Sequence, residues 1–371
     1  MVNWLAVRRH FPITDRCTYL DHASCGPMPK PVSCEVLRYY RELEGDADFS
    51  WPRWIKRREE VRQKVAKFIH ASSDEIAFTA STSQGMNFIA ELIAGEGAAL
   101  ANTLEFPATT VPWIHRGTTV QWIEPRGGIV SPAQVASHLK PKIKTILTSY
   151  VQYQNGDRQD LEAIGAIKGN RFFVVNATQG FGYLPIHVNR ARIDFLATNG
   201  YKWMMSGYGS GILYVNRRWL KRFRPSSAGW RSVEHPERFE NRSAVLKREA
   251  SRYELGCPPF PHIFAIGAAL DFFREIGFSN IEKRILHLTH VLTEELKRSH
   301  VRILSPSEPA RRSGIVTFEA ANARHVVKRL GAKRIYVSER GGGIRVAPHM
   351  YNTESDLLRF VKALKEEMRH S

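Results

Sequence analysis

One lysine has the surroundings expected of a reactive amine. Lys202 lies in TNGYKWMMSGYGSG, directly after the strand-like run DFLAT, with Tyr201, Trp203 and two methionines beside it. Burial among such groups disfavours the ammonium and lowers the pKa of a lysine. A neutral amine of this kind can attack a carbonyl group and form a Schiff base. Taken alone, this stretch favours the other interpretation, a lysine whose ammonium reaches solvent along an apolar stem.

Two further stretches place polar side chains where a strand stops. In FTASTSQGMNFIAELI a strand ends, Ser81, Thr82 and Ser83 follow, and a helix is predicted from about Gln84. Hydroxyls and free N–H groups at a helix start can bind an anion, although the same residues are common as ordinary N-caps. In FFVVNATQ a buried strand stops at Asn176, as a strand does when it delivers a side chain to a site.

The alternation of short apolar runs and helical patterns predicts the fold class. Between residues 75 and 215, strand-like runs such as KTILTSYV and GILYVN alternate with helical segments, which indicates parallel β-α units flanked by helices. Ligands of such sheets bind beyond the carboxyl ends of the strands. After residue 256, helices mixed with a few strands predict a smaller α+β domain. The 371 residues, 43% of them hydrophobic, are enough for two domains.

The net charge and the cysteine content limit which partners and which kinds of site the sequence predicts. The net charge of +18 is spread over several basic segments, and no zinc-finger, RNP-like or basic-zipper pattern accompanies them, so we expect a basic solvated surface and no nucleic-acid partner. The cysteines Cys17, Cys25, Cys34 and Cys257 form no CxxC pair and no metal-ligand cluster, so we expect neither a disulfide nor a metal site. With no signal-peptide pattern and no apolar run of membrane-spanning length, we expect a cytoplasmic protein without a membrane partner.

Seven stretches, in this order along the chain, resemble one family. They are YLDHASCGPMPKPV, TSQGMN, EFPATTVPW, VVNATQG, DFLATNGYKWMMSGYGSGILYV, YELGCPPF and GIRVAPHMYNTESDLLRFV. Together they resemble the class V aminotransferases among the fold-type I pyridoxal-phosphate enzymes, the group that includes isopenicillin-N-epimerase-like proteins, kynureninases and cysteine desulfurases.

The resemblance implies an architecture and a cofactor. It implies an arm over residues 1–20, a large cofactor-binding domain over 21–255 with a mostly parallel seven-stranded sheet, and a small domain over 256–371. The implied cofactor is pyridoxal 5'-phosphate (PLP), and the implied assembly is a homodimer with both active sites at its interface. Substrate side-chain specificity is expected from residues 226–255 and from the arm.

The resemblance also implies a role for each candidate residue. Lys202 would form the Schiff base and move the proton at the α-carbon of the substrate, and Arg345 would bind the substrate carboxylate. Phe106 and Thr178 would pack on the two faces of the pyridine ring, and Gln179 would hydrogen-bond its phenolic oxygen. The phosphate would be held by Ser81, Thr82, Ser83, Asn199, Tyr201 and, from the partner subunit, Cys257, which stands where the family usually has Thr.

Asn176 stands where the family usually has Asp. A carboxylate there keeps the pyridine nitrogen protonated, so an amide implies a weaker electron sink. Three interpretations follow: a slow or specialised aminotransferase or lyase, an epimerase or racemase that tolerates a weak sink, or a member that binds ligand or nucleic acid without catalysis. We favour an aminotransferase. The region before Arg345, VSERGGGIRV, contains no cysteine, which argues against a cysteine desulfurase.

Overall fold

The computed structural model describes residues 2–368, and its centre is a seven-stranded sheet. The strands are β1 (Thr18–Tyr19), β2 (Ile76–Thr79), β3 (Ala98–Asn102), β4 (Val120–Ile123), β5 (Ile143–Ser149), β6 (Phe172–Asn176), β7 (Phe195–Asn199), β8 (Gly211–Val215), β9 (Val316–Glu319), β10 (Ile335–Tyr336), β11 (Ser338–Arg340) and β12 (Gly343–Val346). The α-helices are α1 (Trp4–Arg8), α2 (Lys30–Asp46), α3 (Trp51–Ile69), α4 (Thr82–Ile93), α5 (Pro107–His115), α6 (Pro132–His138), α7 (Leu161–Ile167), α8 (Arg217–Arg222), α9 (Phe260–Ile276), α10 (Phe278–Arg298), α11 (Ala323–Ala332) and α12 (Glu354–Met368).

The central sheet confirms the predicted α/β class. Its strand order is β2-β8-β7-β6-β5-β3-β4; β8 runs antiparallel to both of its neighbours, and the other neighbouring pairs are parallel. Six of the seven strands therefore point the same way, and their carboxyl ends meet at one edge. This is the edge at which ligands of open α/β sheets bind.

The strand β6 shows how the sequence directs side chains to the two faces of the sheet. Phe172 and Val174 join the core beneath α4, whereas Phe173 and Val175 join the larger core on the opposite face. Because successive residues of a strand point to opposite faces, Asn176 follows Val174 toward the face that carries α4 and α5. Strand period thus fixes the side on which its amide lies.

Two strands of the sheet were not anticipated. The five strands predicted between residues 75 and 215 are present as β2, β5, β6, β7 and β8. The sequence of β3 is AALAN, without a β-branched or aromatic residue, and β4 is the short edge segment VQWI. The alanine-rich β3 lacks the composition by which strands are recognised, whereas β4 has a strand-like composition but only four residues. Pairing settles both conformations, because β3 pairs with β5 and β4 pairs with β3.

The C-terminal region forms a smaller α+β layer. An antiparallel sheet of order β11-β12-β9 packs its apolar face against α10, α11 and α12. The helix α9 packs against α2 and α3, and β1 near the N-terminus pairs with β10. The division into 1–20, 21–255 and 256–371 stays a prediction, and these two contacts connect its parts.

Part of the basic charge is buried, contrary to the expectation of a solvated surface throughout. Arg62 of α3 is 3% exposed, and its Nη1 donates to Glu254 Oε1 at 2.6 Å and to the carbonyl of Ile76 at 2.7 Å. Glu254 also accepts from the backbone N–H of Phe78 at 2.9 Å. This ion pair ties α3 to β2, because a buried charge needs partners to offset its desolvation.

A helix that spans a membrane needs about 20 largely apolar residues. Within residues 2–368, no helix combines the length and the apolar character that crossing a bilayer requires.

Candidate functional site

A pocket opens at the edge where the carboxyl ends of the strands meet. It is lined by side chains that follow β2, β3, β5, β6 and β7. The lining residues are Ser81, Thr82, Ser83, Phe106, Ala108, Ser149, Tyr153, Asn176, Thr178, Gln179, Asn199, Tyr201 and Lys202. Tertiary structure therefore brings together every residue predicted to hold the cofactor, apart from Cys257.

Lys202 is a buried amine, and not the solvent-reaching lysine that its local sequence alone favoured. The residue is 8% exposed, and the three residues that follow it, Trp203, Met204 and Met205, are fully buried. Burial, together with the positive charge of Arg345 and against the opposing carboxylate of Asp21, lowers the pKa of the Lys202 ammonium from 10.5 to about 7. At neutral pH a substantial fraction of the amine is uncharged and nucleophilic.

The turn that carries Lys202 is fixed by a close approach of the N-terminal segment. The backbone N–H of Gly26 donates to the carbonyl of Tyr201 at 2.8 Å. A Cβ atom on Gly26 would lie 2.1 Å from the carbonyl oxygen of Lys202, so only glycine fits there. The motif around Gly26 thus holds the lysine turn by backbone contact.

The first turn of α4 forms an end of the pocket suited to an anion. Ser81 is the N-cap, and its Oγ accepts from the backbone N–H of Gln84 at 3.1 Å. The N–H groups of Thr82 and Ser83 have no partner within the helix, and the helix dipole favours negative charge beside them. Thr82 and Thr178 join their hydroxyls across the pocket at 2.7 Å.

The Asn199 amide adds a donor to this end of the pocket. Its Nδ2 donates to Thr82 Oγ1 at 3.2 Å, while its buried Oδ1 has no hydrogen-bond partner among the described residues. Rotation of the amide by 180° would let Oδ1 accept from the Thr82 hydroxyl and would free Nδ2 for a ligand oxygen. In that rotated orientation the amide would offer a donor to an anionic group at this end of the pocket.

Aromatic rings border the mouth of the pocket. Phe106 is 43% exposed, and its ring centroid lies 5.7 Å from Lys202 Nζ. Tyr153 meets Phe106 edge to face at 5.1 Å. On the other side, Tyr201 stacks on Tyr208 at 4.3 Å. A flat ring entering between Phe106 and Thr178 would find an aromatic face, as the prediction requires.

Two amides at the end of β6 have fixed orientations. Asn176 Nδ2 donates to Thr109 Oγ1 at 2.9 Å, and its Oδ1 accepts from the backbone N–H of Thr178 at 3.0 Å. Gln179 donates from Nε2 to the carbonyl of Ala23 at 2.8 Å and accepts at Oε1 from Trp203 Nε1 at 2.8 Å. Each amide nitrogen keeps a second N–H. These contacts exclude an amide flip at either position, because a flip would set donor against donor.

Arg345 of β12 is 2% exposed, and its positive charge acts on Lys202. Its Nη1 donates to the carbonyl of Tyr153 at 2.9 Å, and its Nη2 donates to Ser24 Oγ at 2.8 Å. The nearest charged partner is Asp21, whose Oδ1 lies 3.5 Å from Nη2. Burial lowers the pKa of Arg345 to about 10, which leaves the guanidinium charged at neutral pH. The predicted role in carboxylate binding stays a prediction.

The remaining predicted residues are not among those that line this pocket. Cys257 is exposed on the loop before α9, and its predicted contact is with the phosphate of a partner subunit. No residue of the segment 226–255, expected to govern specificity, is among those lining the pocket.

Other residues of the site were missed by sequence reasoning. Ser149 and Tyr153 line the pocket just after β5, so the rule of carboxyl ends applied to the predicted strand KTILTSYV would have found them. Thr109 of α5 supports Asn176, and Glu105, just before α5, accepts hydrogen bonds from Ser149. Their role depends on side-chain contacts between separate elements, and no local sequence pattern predicts such contacts.

Replacing Lys202 tests the buried amine. Because its folded pKa of about 7 lies below its usual 10.5, the cost of burying the ammonium is full below pH 7 and is lost as pH rises through 10.5. Lys202→Met in the cofactor-free protein should therefore raise the free energy of unfolding at pH 6 by on the order of 5 kcal/mol, the fall in pKa from 10.5 to about 7 taken at about 1.4 kcal/mol per pKa unit. The gain should shrink steadily toward pH 9 in urea unfolding. Lys67→Met, on an exposed position, is the control; an equal gain at every pH would contradict the assignment.

Comparison with known proteins extends these findings. The chain is 28% identical to an uncharacterized aminotransferase, YcbU, of Bacillus subtilis, over 98% of this chain and 95% of the relative. It is 27% identical to a probable cysteine desulfurase of Methanothermobacter thermautotrophicus, over 97% of each chain. Among solved structures, a C-DES mutant with glycine covalently linked to its PLP cofactor superposes with a TM-score of 0.88 at 23% identity, covering 97% of this chain and 99% of the other.

The argument against a cysteine desulfurase was wrong. Several relatives that match nearly the whole chain are probable cysteine desulfurases. The argument rested on one residue type in the turn between β11 and β12, where Gly341 and Gly342 have φ values of 60° and 77°. Such a turn is far from the packing that defines the fold, so its composition does not separate this chain from those relatives.

Family membership follows from the length of the match. The family Aminotransferase class-V matches residues 18–363, and the solved neighbours share the fold-type I architecture, as predicted. The same match confirms pyridoxal 5'-phosphate as the cofactor, which fits the anion-binding helix start, the aromatic mouth and the buried amine. The chain belongs to the class V aminotransferase family.

Proposed function

We propose that this chain is a PLP-dependent enzyme that acts at the α-carbon of an amino acid, with transamination as its reaction. The observation that carries the proposal is the buried Lys202 amine, with its pKa near 7, in a pocket that also contains an anion-binding helix start. A relative named as an aminotransferase over nearly the full length supports the choice of reaction.

The residues of the pocket would have separate roles in holding the cofactor and in moving a proton. When bound, the cofactor supplies an aldehyde for the amine and a ring that accepts electrons from the α-carbon. Ser81, Thr82 and Asn199 would hold its phosphate, and Phe106 would cover its ring. Lys202, with a pKa near neutrality, is matched to taking a proton from the α-carbon and returning it.

Arg345 would bind the carboxylate of the amino acid. Two of its three neighbours at the nitrogens Nη1 and Nη2 are neutral, so its charge is only weakly compensated by Asp21 at 3.5 Å. A planar guanidinium favours bidentate binding of a carboxylate. Amino acids are therefore preferred over simple amines as substrates.

Removal of sulfur from cysteine is a second candidate. Relatives named as cysteine desulfurases favour it. A thiol is also near the site, since Cys25 interacts electrostatically with Lys202 and hydrogen-bonds Tyr208. Racemisation and lyase chemistry are further alternatives, because the amide of Asn176 implies a weak electron sink.

The proposal predicts where the cofactor is attached and what it does. The purified protein incubated with PLP should turn yellow, and borohydride should link the cofactor to the tryptic peptide that contains Lys202, as read by mass spectrometry. With a panel of amino acids, conversion of the cofactor to its amine form together with a keto acid would support transamination.

The same panel separates the alternatives. Loss of α-deuterium without cofactor conversion would indicate racemisation, and sulfide released from cysteine would indicate the second candidate. A colourless protein that takes up no cofactor and shifts DNA at moderate salt would contradict the enzymatic proposal.

Arg345→Lys should raise the KM for the amino acid about tenfold or more and change kcat little, because a lysine cannot bind a carboxylate in the bidentate manner. Steady-state kinetics with the best substrate of the panel measure this. The control is Arg340→Lys, on an exposed residue of the same hairpin. Equal KM values for both variants would contradict carboxylate binding by Arg345.

We also propose a homodimer with the site near its interface. Three apolar side chains at the mouth of the pocket and along α5, Phe106, Val111 and Ile114, are 43%, 52% and 51% exposed. Exposed apolar surface of this kind is typical of protein contacts. Cys257, exposed on its loop, would then be free to reach a partner's site.

Ile114→Glu should shift the sedimentation profile from dimer to monomer and weaken PLP binding. The cause is the cost of burying an unpaired carboxylate in the interface. Leu358→Glu, which alters a half-exposed residue of α12, serves as the control. A monomeric wild-type protein that binds PLP tightly would contradict the proposed dimer.

A further inference from the structure

The guanidinium of Arg345 is held along one edge by Ser338 and Asp21. Arg345 Nε donates to Ser338 Oγ at 3.2 Å, and the Ser338 hydroxyl in turn donates to Asp21 Oδ1 at 2.9 Å. The same Oδ1 lies 3.5 Å from Arg345 Nη2. Because an arginine can only donate, the single proton of the Ser338 hydroxyl goes to Asp21. These two residues therefore occupy the edge formed by Nε and Nη2.

The remaining contacts of Arg345 leave one of its N–H groups without a partner. Nη1 donates to the carbonyl of Tyr153 at 2.9 Å, and Nη2 donates to Ser24 Oγ at 2.8 Å. A guanidinium carries five N–H groups in a fixed fork. Ser338, Asp21, Tyr153 and Ser24 take four of them, so one N–H of Nη1 has no acceptor within residues 2–368.

The hydroxyl of Ser24 also has a proton that it can donate. Its oxygen accepts from Arg345 Nη2, and no acceptor for its own proton is found in the described part of the chain. A hydroxyl that accepts a hydrogen bond from a charged group is polarised and becomes a stronger donor. Two free donors, the Ser24 O–H and an N–H of Nη1, thus lie at the same end of one guanidinium.

Backbone hydrogen bonds fix Ser24 beside Arg345. The N–H of Ala347, two residues after Arg345, donates to the carbonyl of Leu20 at 2.7 Å, and the N–H of His22 donates to the carbonyl of Ala347 at 3.2 Å. The Ser24 N–H then closes a turn on the carbonyl three residues before it, at 3.0 Å. Ser24 is therefore tied to the end of β12 and cannot leave Arg345 unless these bonds break.

The same N-terminal segment also contacts the lysine turn. The N–H of Gly26 donates to the carbonyl of Tyr201 at 2.8 Å. The charges of Arg345 and Asp21 both act on the Lys202 ammonium. The amine and the two free donors are therefore close enough to serve the two ends of one α-amino acid.

We propose that Ser24 is a second donor to the substrate carboxylate, which would accept from the Ser24 hydroxyl and from the free N–H of Arg345 Nη1. The proposal rests on the proposed function, since the carboxylate is that of the amino acid substrate. One donor for each carboxylate oxygen fixes the orientation of the carboxylate as well as its position. Asp21 and Ser338 are positioning residues, because they hold the Nε edge of the guanidinium away from the substrate.

Removing the hydroxyl tests this role in the holoenzyme. Ser24→Ala should raise the KM for the amino acid about tenfold and change kcat little, on the scale of one hydrogen bond to a charged group. Ser24→Thr, which keeps the hydroxyl, should stay within about twofold of the wild type. Ser137→Ala, on an exposed serine of α6, is the control and should leave KM unchanged.

A binding measurement complements the kinetics, because it needs no turnover. Propionate is the probe, and its Kd for the full chain, with and without PLP, is read from the Nε–H resonance of Arg345 in ¹⁵N-labelled protein. Arg345→Lys assigns that resonance. Ser24→Ala should weaken propionate binding about tenfold, and Ser24→Thr less than about twofold. Propylamine, which has no carboxylate, should leave the resonance in place.

The outcomes separate this role from the proposed function. Ser24→Ala with an unchanged Kd for propionate would overturn the role of Ser24. Should Ser24→Ala fail to fold, Ser24→Gly removes the same hydroxyl in a turn that glycine tolerates, and the same loss is expected. A chain that binds propionate through Ser24 but takes up no PLP on Lys202 contradicts only the proposed function. A yellow protein whose propionate affinity is insensitive to Ser24→Ala contradicts only the second donor.

Discussion

The burial of one amine is the constraint on which the site depends. A lysine ammonium is among the costliest groups to remove from water. Here the packing of Trp203, Met204 and Met205 and the close contact of Gly26 with the Lys202 carbonyl hold the residue in place. The energy of that packing is what keeps the amine poised near neutrality. A less rigid turn would let the side chain reach solvent and regain its ordinary pKa.

The polar groups of the pocket act as a connected set. The hydroxyls of Thr82 and Thr178 meet across the anion end, and Asn199 joins them. At the other end, the amide of Asn176 donates to the hydroxyl of Thr109. Buried polar groups are stabilised only when their partners are in place, so the substitution of an amide for a carboxylate has to be judged together with its neighbours. The amide of Asn176 is held by the Thr109 hydroxyl and by the N–H of Thr178, so a change at position 176 also affects these two partners.

Much of the fold could be predicted from local patterns. The run FFVVN predicted β6, and its alternation fixed which face receives the amide. Likewise, the order of seven family-like stretches predicted the cofactor and the pocket residues from Ser81 to Lys202. The strand AALAN was missed because alanine carries no strand preference, and only pairing with β5 decides its conformation. The turn before Arg345 led to a wrong prediction, the exclusion of a cysteine desulfurase, because the absence of one cysteine does not distinguish members that share the whole fold.

The sequence by itself determined the residue types, their order and the strand ends that carry them, because these depend on periodicity and on local composition. Only the tertiary structure decided that Thr109 binds the amide of Asn176, that Arg345 is held between Ser24 and Tyr153, and that Arg62 is buried. Contacts of this kind join residues far apart along the chain, and their energies depend on burial and on donor direction. Neither quantity is defined until the strands have paired and the helices have packed on them.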